Sequence, residues 1–416
     1  MYGTEDTTTL ASFLAKINGA HGTGAAAADL FGWDVAVGSG RIVIGASSDD
    51  DNALSNSGSA YIFDLDGNFI NKINGAHGTG AGGGEYFGKR VAVGSGRIVA
   101  GAYGDDDNAL SSSGSAYIFD LNGNFINKIN GAYGTGAGAT DYFGYSVAVG
   151  SGRIVVGAYR DDDNALFGSG SAYIFDLDGN FIKKIDGTGG TGAGAGDNFG
   201  WSVAVGSGRI VVGAYWDDDN GLDDSGSAYI FDLDGNFIKK IDGTGGTGAG
   251  TTDLFGYSVA VGSGRIVVGA YLDDDNGLDG SGSAYIFDLE GNFINKINGA
   301  HGTGAGAGDN FGWSVAVGSG RIVVGADQDD DNGIGASGSA YIFDLDGNFI
   351  VKIDGTGGTG AGVGDSFGYS VAVGSGRIVV GAYGDDDNGL SASGSAYIFT
   401  IPNVVTVYDH KDRQYG

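Results

Sequence analysis

The sequence predicts an all-β protein, a seven-bladed β-propeller of four-stranded antiparallel blades closed by its own N-terminal strand, and three observations carry that expectation. First, Phe-Gly pairs beginning at Phe31, Phe87, Phe143, Phe199, Phe255, Phe311 and Phe367 recur every 56 residues without an insertion, so one supersecondary unit is copied seven times. Second, each copy divides into four short apolar segments separated by turn residues, the content of one propeller blade, and seven blades close a ring. Third, the outermost segment is missing from the last copy and stands before the first. Ser12-Phe13-Leu14-Ala15-Lys16-Ile17 matches Asn68-Phe69-Ile70-Asn71-Lys72-Ile73 at the same 56-residue offset, while Phe399 is followed by Thr400-Ile401-Pro402-Asn403. A ring must join its ends, and the displaced segment is therefore read as the outer strand of the seventh blade. The chain divides into an extension over 1–11, the propeller over 12–400 and a tail over 401–416.

The fourth copy, 199–254, shows each element in order. Its innermost strand is read over 199–205, where Phe199, Trp201, Val203 and Val205 alternate with Gly200, Ser202 and Ala204, small residues that permit tight packing near the axis. Gly206-Ser207-Gly208 makes a hairpin turn. The second strand, 209–215, is β-branched and runs into Trp216 and the acidic run Asp217-Asp218-Asp219-Asn220. The third, 227–233, places Tyr229 and Phe231 on one face, and Asp234-Gly235 is a strong two-residue hairpin signal. The fourth, 237–241, carries Lys239 and Lys240, charges that keep an exposed edge from pairing with another chain. A Gly-rich connection, 243–252, leads to the next copy.

Composition fits this reading and removes several function classes. The 87 Gly residues of a 416-residue chain would suggest low complexity if they were not held in a fixed register with Val, Ile, Phe and Tyr. With no Cys, the fold uses neither disulfides nor thiolate metal sites. The net charge is −30, and the seven acidic runs hold 21 of the 51 Asp and Glu residues, so the acidity is local. Such an array repels nucleic-acid phosphates and anionic membranes, which argues against nucleic-acid binding. No stretch approaches the roughly 20 apolar residues of a membrane span, so membrane insertion is not expected. Met1 to Leu10 has neither the basic start nor the apolar run of a secretory signal. The expected location is nonetheless extracellular, on a cell surface or a virion, reached by another route or after removal of a leader.

At Phe199-Gly200, Val203-Ala204-Val205, Val212-Gly213-Ala214 and Gly226-Ser227-Ala228-Tyr229, the repeat resembles the FG-GAP repeat of integrin α-subunit propellers and of many bacterial extracellular proteins. The resemblance covers about 12–399. It implies a propeller used for extracellular recognition or adhesion through the face that bears the loops between strands two and three and between blades. The calcium loop for which that family is known, Asp-x-Asp-x-Asp-Gly between the first two strands, is absent here, because that turn is only Gly-Ser-Gly.

Antiparallel connections alternate between the ends of a blade, which puts the acidic runs and the Gly-rich connections on one face. Each connection also ends in a carboxylate, as at Asp197. Calcium takes six to eight oxygens, and the residues that offer them are Asp49, Asp51, Asp105, Asp107, Asp161, Asp163, Asp197, Asp217, Asp219, Asn220, Asp273, Asp275, Asp329, Asp331, Asp385 and Asp387. The competing reading makes them turn caps and solubility charges. Against strands that stay constant, three loop positions vary: Ser48, Gly104, Arg160, Trp216, Leu272, Gln328 and Gly384 before the runs; Leu30, Tyr86, Tyr142, Asn198, Leu254, Asn310 and Ser366 before each Phe; and a position after the runs that includes Phe167. Tyr142, Arg160, Phe167, Trp216, Leu254 and Leu272 would form an aromatic and cationic patch for a protein or glycan ligand. Free drift of exposed loop positions is the alternative.

His21, His77 and His301 are replaced by Tyr133 or Gly in the other copies, which disfavours a shared zinc or catalytic role, and no Ser, His and Asp set is unique to one blade. Trp33, Trp201 and Trp313 alternate with Tyr145, Tyr257 and Tyr369 and are read as packing between blades. The expected function is a non-enzymatic recognition or adhesion module, with calcium as a stabiliser. A structural virion or fibre subunit is the alternative, with the tail residues His410, Lys411, Arg413 and Tyr415 as its assembly contact.

Overall fold

The computed structural model describes residues 11–21, 26–50, 53–77, 82–133, 138–162, 166–189, 194–218, 221–245, 250–274, 277–301, 306–330, 333–357, 362–386 and 389–401. These form seven four-stranded antiparallel sheets, and in six of them the strands lie in chain order. The expected propeller is the observed fold. In the fourth blade the strands are Ser202–Gly206, Arg209–Ala214, Ser227–Phe231 and Phe237–Ile241. The inner strand starts three residues later than its alternation suggests. Gly200 sits at φ +93°, and the Trp201 amide donates to Asn198 O at 3.1 Å, so the chain turns before it extends. Phe199 is instead held in a parallel bridge to Gly170 of the preceding blade.

The seventh sheet closes the ring as the displaced strand requires. Phe13–Asn18 lies antiparallel beside Ser395–Thr400, with Lys16 opposite Tyr397 and Ile17 opposite Ala396. The Thr400 amide adds a bond of 2.9 Å to Ser12 O. Ile17 is 1% exposed and sits in the core that joins the last blade to the first, with Ile398, Phe31 and Tyr61. Burying a side chain of that size contributes about 2–3 kcal/mol.

Cores lie between blades rather than within them. One cluster joins Val155, Ile174 and Ile185 of the third blade to Phe199, Ile210, Tyr229 and Phe231 of the fourth, and six more repeat the pattern around the ring. Main chain meets main chain at the tightest joint. A Cβ on Gly213 would lie 2.0 Å from Gly256 O of the next blade, and one on Gly381 would lie 2.1 Å from Gly32 O across the closure. Only glycine fits there. On the opposite face six of the joints are pinned by an arginine: Arg209 Nε donates to Leu289 O at 2.9 Å and Arg377 Nε to Leu65 O at 2.9 Å, and Arg41, Arg97, Arg153 and Arg265 do the same. Among the described residues no helix is long and apolar enough to cross a membrane.

Candidate functional site

Connections and acidic loops share one face, and they are bonded together. The Gly84, Tyr86 and Phe87 amides donate to the Ser55, Asn56 and Ser57 carbonyls of the preceding blade at 2.8–3.1 Å. Within each loop the first Asp is buried and committed. Asp217 Oδ2 accepts Lys240 Nζ at 2.8 Å and the Tyr229 hydroxyl at 2.5 Å, and the same Lys–Asp–Tyr lock recurs at Asp49, Asp105, Asp161, Asp273, Asp329 and Asp385. The lysine also lies over the tyrosine ring, at 5.3 Å for Lys240 and Tyr229. The second Asp closes the loop: Asp218 Oδ1 accepts the amide of Asp224, a residue at φ +51°. In the second blade Asp107 takes Lys128 Nζ at 2.7 Å, the Ser115 hydroxyl at 2.7 Å and Asn130 Nδ2 at 3.0 Å. Despite burial, these bonds hold its carboxyl below the ordinary range.

The carboxylate that ends each connection caps that connection. Asp197 Oδ2 accepts the Gly194 amide at 2.6 Å. Burial, with Asp217 and Asp218 nearby, pushes its carboxyl up to about 6. Burial raises Asp29, Asp141, Asp253 and Asp309 likewise to about 6, Glu85 to about 7, and Asp365 in the same direction.

In the described part of the expected calcium set the carboxylates already have partners. The oxygens that calcium would need on Asp49, Asp105, Asp161, Asp217, Asp273, Asp329 and Asp385 already hold an ammonium ion and a phenol, so that in each blade the protein supplies its own cation. Asp107 and Asp197 are engaged as described above. Among the described residues no three His, Cys, Asp or Glu side chains are grouped to hold a metal. Asp51, Asp163, Asp219, Asn220, Asp275, Asp331 and Asp387 lie outside the described residues. So does the tail from 402 on.

Three of the six patch residues meet. Arg160 and Phe167 of the third blade and Trp216 of the fourth line one cleft of about 350 Å³ between those blades, together with Tyr159, Tyr215, Trp201 and Asn198. Phe167 and Trp216 are 76% and 45% exposed, so they stand at the mouth. Arg160 lies 5.4 Å from the Tyr142 ring and 5.7 Å from the Tyr159 ring, which brings Tyr142 to its back. Asn198 is buried and donates to the Tyr215 hydroxyl at 3.3 Å. The indole Nε1 of Trp201 is buried without an acceptor. Leu254 departs from the expected patch. It is 7% exposed, although it shares its φ of about +57° with Tyr142, which stays half-buried. Leu272 is half-buried one joint further on, where a Cβ on Gly280 would meet it at 3.6 Å. Asn198 is one of the varying loop positions, whereas the cleft walls Tyr159, Trp201 and Tyr215 adjoin strand ends that read as structural.

A second feature is invisible to that search. The inner aromatics pack against one another at tilted angles around the axis: Trp33 on Tyr369 at 4.8 Å, Tyr369 on Trp313 at 5.5 Å, Trp313 on Tyr257 at 4.8 Å, Tyr257 on Trp201 at 5.5 Å and Trp201 on Tyr145 at 4.6 Å. The expected inter-blade packing is thus a collar at the channel mouth. One place in it is taken by Lys89, whose Nζ lies 3.5 Å from the Trp33 ring centroid. The next residue inward is Ser in five blades, but Asp34 in the first and Arg90 in the second.

Fold and loops together define a propeller of the protein-interaction scaffold class. The chain belongs to the FG-GAP repeat family, whose repeat matches residues 21–63, 78–119, 135–175, 191–231, 247–287, 302–343 and 359–399. No characterised protein matches it by sequence. Among solved structures it is similar to the WD40 β-propeller domain of Doa1, with 13% identity, 94% of this chain and 97% of that one covered, and a TM-score of 0.53. BamB from Moraxella catarrhalis matches at 12% identity, 89% and 85% coverage and a TM-score of 0.44. At such identities the likeness to Doa1 concerns the fold alone.

Proposed function

We propose that this protein is a non-enzymatic recognition module, displayed outside a cell or on a virion, that binds a glycan in the cleft between its third and fourth blades. One observation carries the reading: in a ring of near-identical copies, the residues that differ at this joint converge on a single cavity with aromatic walls and polar donors. Phe167, Trp216, Tyr159 and Tyr215 offer faces on which a sugar ring stacks, while Arg160, Asn198 and the unspent Trp201 indole N–H offer donors to its hydroxyls. A rigid aromatic wall costs little conformational entropy on binding. The family's recurrence in extracellular proteins supports the location. Calcium has no part in the proposal, since the first Asp of each acidic loop already holds a lysine and a tyrosine.

A glycan array followed by titration of the captured sugar tests this. Trp216→Ala and Arg160→Ala are each expected to weaken binding at least tenfold while leaving the melting temperature within about 2 °C, since both residues sit at an exposed or half-open cleft. Binding unaffected by both changes would place the ligand elsewhere.

A further inference from the structure

Beneath the aromatic collar the axial channel widens into a cavity of about 160 Å³, lined by Asp34, Arg90 and the serines Ser146, Ser202, Ser258, Ser314 and Ser370, with Trp201, Tyr257, Trp313 and Tyr369 above and valines below. Sevenfold repetition would fill this ring with hydroxyls alone. Five blades follow that rule, and the Ser Oγ of one blade bonds the main chain of the next: Ser202, Ser258 and Ser370 accept the amides of Val259, Val315 and Val35 at 3.0–3.1 Å, while the Ser146 and Ser314 hydroxyls donate to Gly200 O and Gly368 O at 2.7 and 2.8 Å. Asp34 performs the same task for Val91 at 2.7 Å and accepts the Ser370 hydroxyl at 3.1 Å. Its charge therefore exceeds what the joint needs.

Arg90 is the residue left unsatisfied. Its guanidinium carries five N–H donors, yet it donates no hydrogen bond to any described residue, and Asp34 Oδ1 stands 3.7 Å from Nη1. That contact is an ion pair without the short, two-point geometry in which Arg and carboxylate bind strongly. Arg90 lines the cavity together with Tyr257 and Tyr369 of two other blades. At 28% side-chain exposure the guanidinium is open to the chamber, so its free donors are available to an anion that enters. Lys89 adds a second positive charge at the mouth.

We propose that this chamber is a binding site for a carboxylate, held by the Arg90 guanidinium and the Ser202 and Ser258 hydroxyls, with its aliphatic end against the collar. A carboxylate suits it better than phosphate, because Asp34 stays inside and the chain as a whole is strongly negative, which selects a single charge over a double one. The ligand is either a free small acid or the carboxylate end of a longer molecule that enters through the collar. The site is distinct from the glycan cleft, although Trp201 walls both.

The test uses the full chain. Sodium acetate is titrated against sodium chloride at matched ionic strength, with binding read by saturation transfer to the acetate methyl and by tryptophan fluorescence. Wild-type protein is expected to bind acetate saturably. The double variant Asp34→Ser with Arg90→Ser restores the residue of the other five blades, keeps the joint's hydrogen bond and is expected to lose at least tenfold in affinity. Asp34→Ser alone frees the guanidinium from its internal competitor and is expected to bind at least threefold more tightly. Triglycine distinguishes the two sources: tighter binding than acetate assigns a chain end, and weaker binding assigns a free acid. Acetate no better than chloride, equal binding by the folded double variant, or a preference for phosphate would overturn the proposal.

Discussion

The rim and the axis of this ring treat charge in opposite ways. At the rim the first Asp of each acidic loop meets its own lysine and tyrosine, seven times over, at distances of 2.5–2.9 Å. At the axis one acid and one guanidinium face each other at 3.7 Å with donors to spare. The contrast separates charges that hold the blades from charges that remain available. Repetition identifies the first kind, and a break in repetition identifies the second.

The comparison is broken most severely by removing the closing strand. Deleting residues 1–18 strips the seventh blade of its outer edge and exposes the core around Ile398 and Phe31, and the expected result is loss of the cooperative melt by calorimetry. The milder Ile17→Ala is expected to cost about 2–4 kcal/mol in denaturant midpoint analysis. Next comes a single lock. Lys240→Met leaves Asp217 buried without its cation, and breaking a buried pair in this way costs about 3–5 kcal/mol; a change under about 1 kcal/mol would show that the rim pairs are ornamental.

Acidity sharpens the comparison with a smaller effect. Asp29, Asp141, Asp197, Asp253 and Asp309 hold their protons to about pH 6 and Glu85 to about 7 in the folded state, higher than in an unfolded chain. The folded protein therefore binds more protons between pH 4 and 7, so stability falls as pH rises through that window and is level above it. Below pH 4 the sign reverses, because hydrogen bonds from Asn68 and its counterparts hold Asp64, Asp120, Asp176, Asp232, Asp288 and Asp344 below the ordinary range. Melting is expected to be highest near pH 4.5 to 5 and lower at pH 7.5 by on the order of 5 °C. A melting temperature that rises steadily from pH 5 to 7.5 would contradict this. The smallest effect is a null one: EDTA is expected to leave the melting curve unchanged, and a clear drop would restore calcium to the rim.

The fold was legible because a fixed period needs no knowledge of contacts. Even the closure could be read, since Phe13 to Ile17 repeats a pattern that the seventh copy lacks. The lock was half legible. Lys240 reads as an edge guard, yet its partner Asp217 lies across the sheet, and nothing local in the sequence reports a pairing between a loop and a strand two elements later. Arg160, Phe167 and Trp216 were found because they differ where everything else is constant. Leu254 shared that property and is buried, since variation at a position does not report its exposure. Asp34, Lys89 and Arg90 also differ from their counterparts, but on an inner strand, where difference is easily taken for packing.

The seven glycine joints have a consequence for how such a chain can diversify. Because neighbouring blades meet peptide to peptide at Gly45, Gly101, Gly157, Gly213, Gly269, Gly325 and Gly381, the spacing of the ring at those joints is gauged by backbone thickness. Loop residues can therefore be exchanged blade by blade, and new specificities acquired, without re-tuning the wheel that carries them. A methyl group at any one of those seven positions would force the ring open instead.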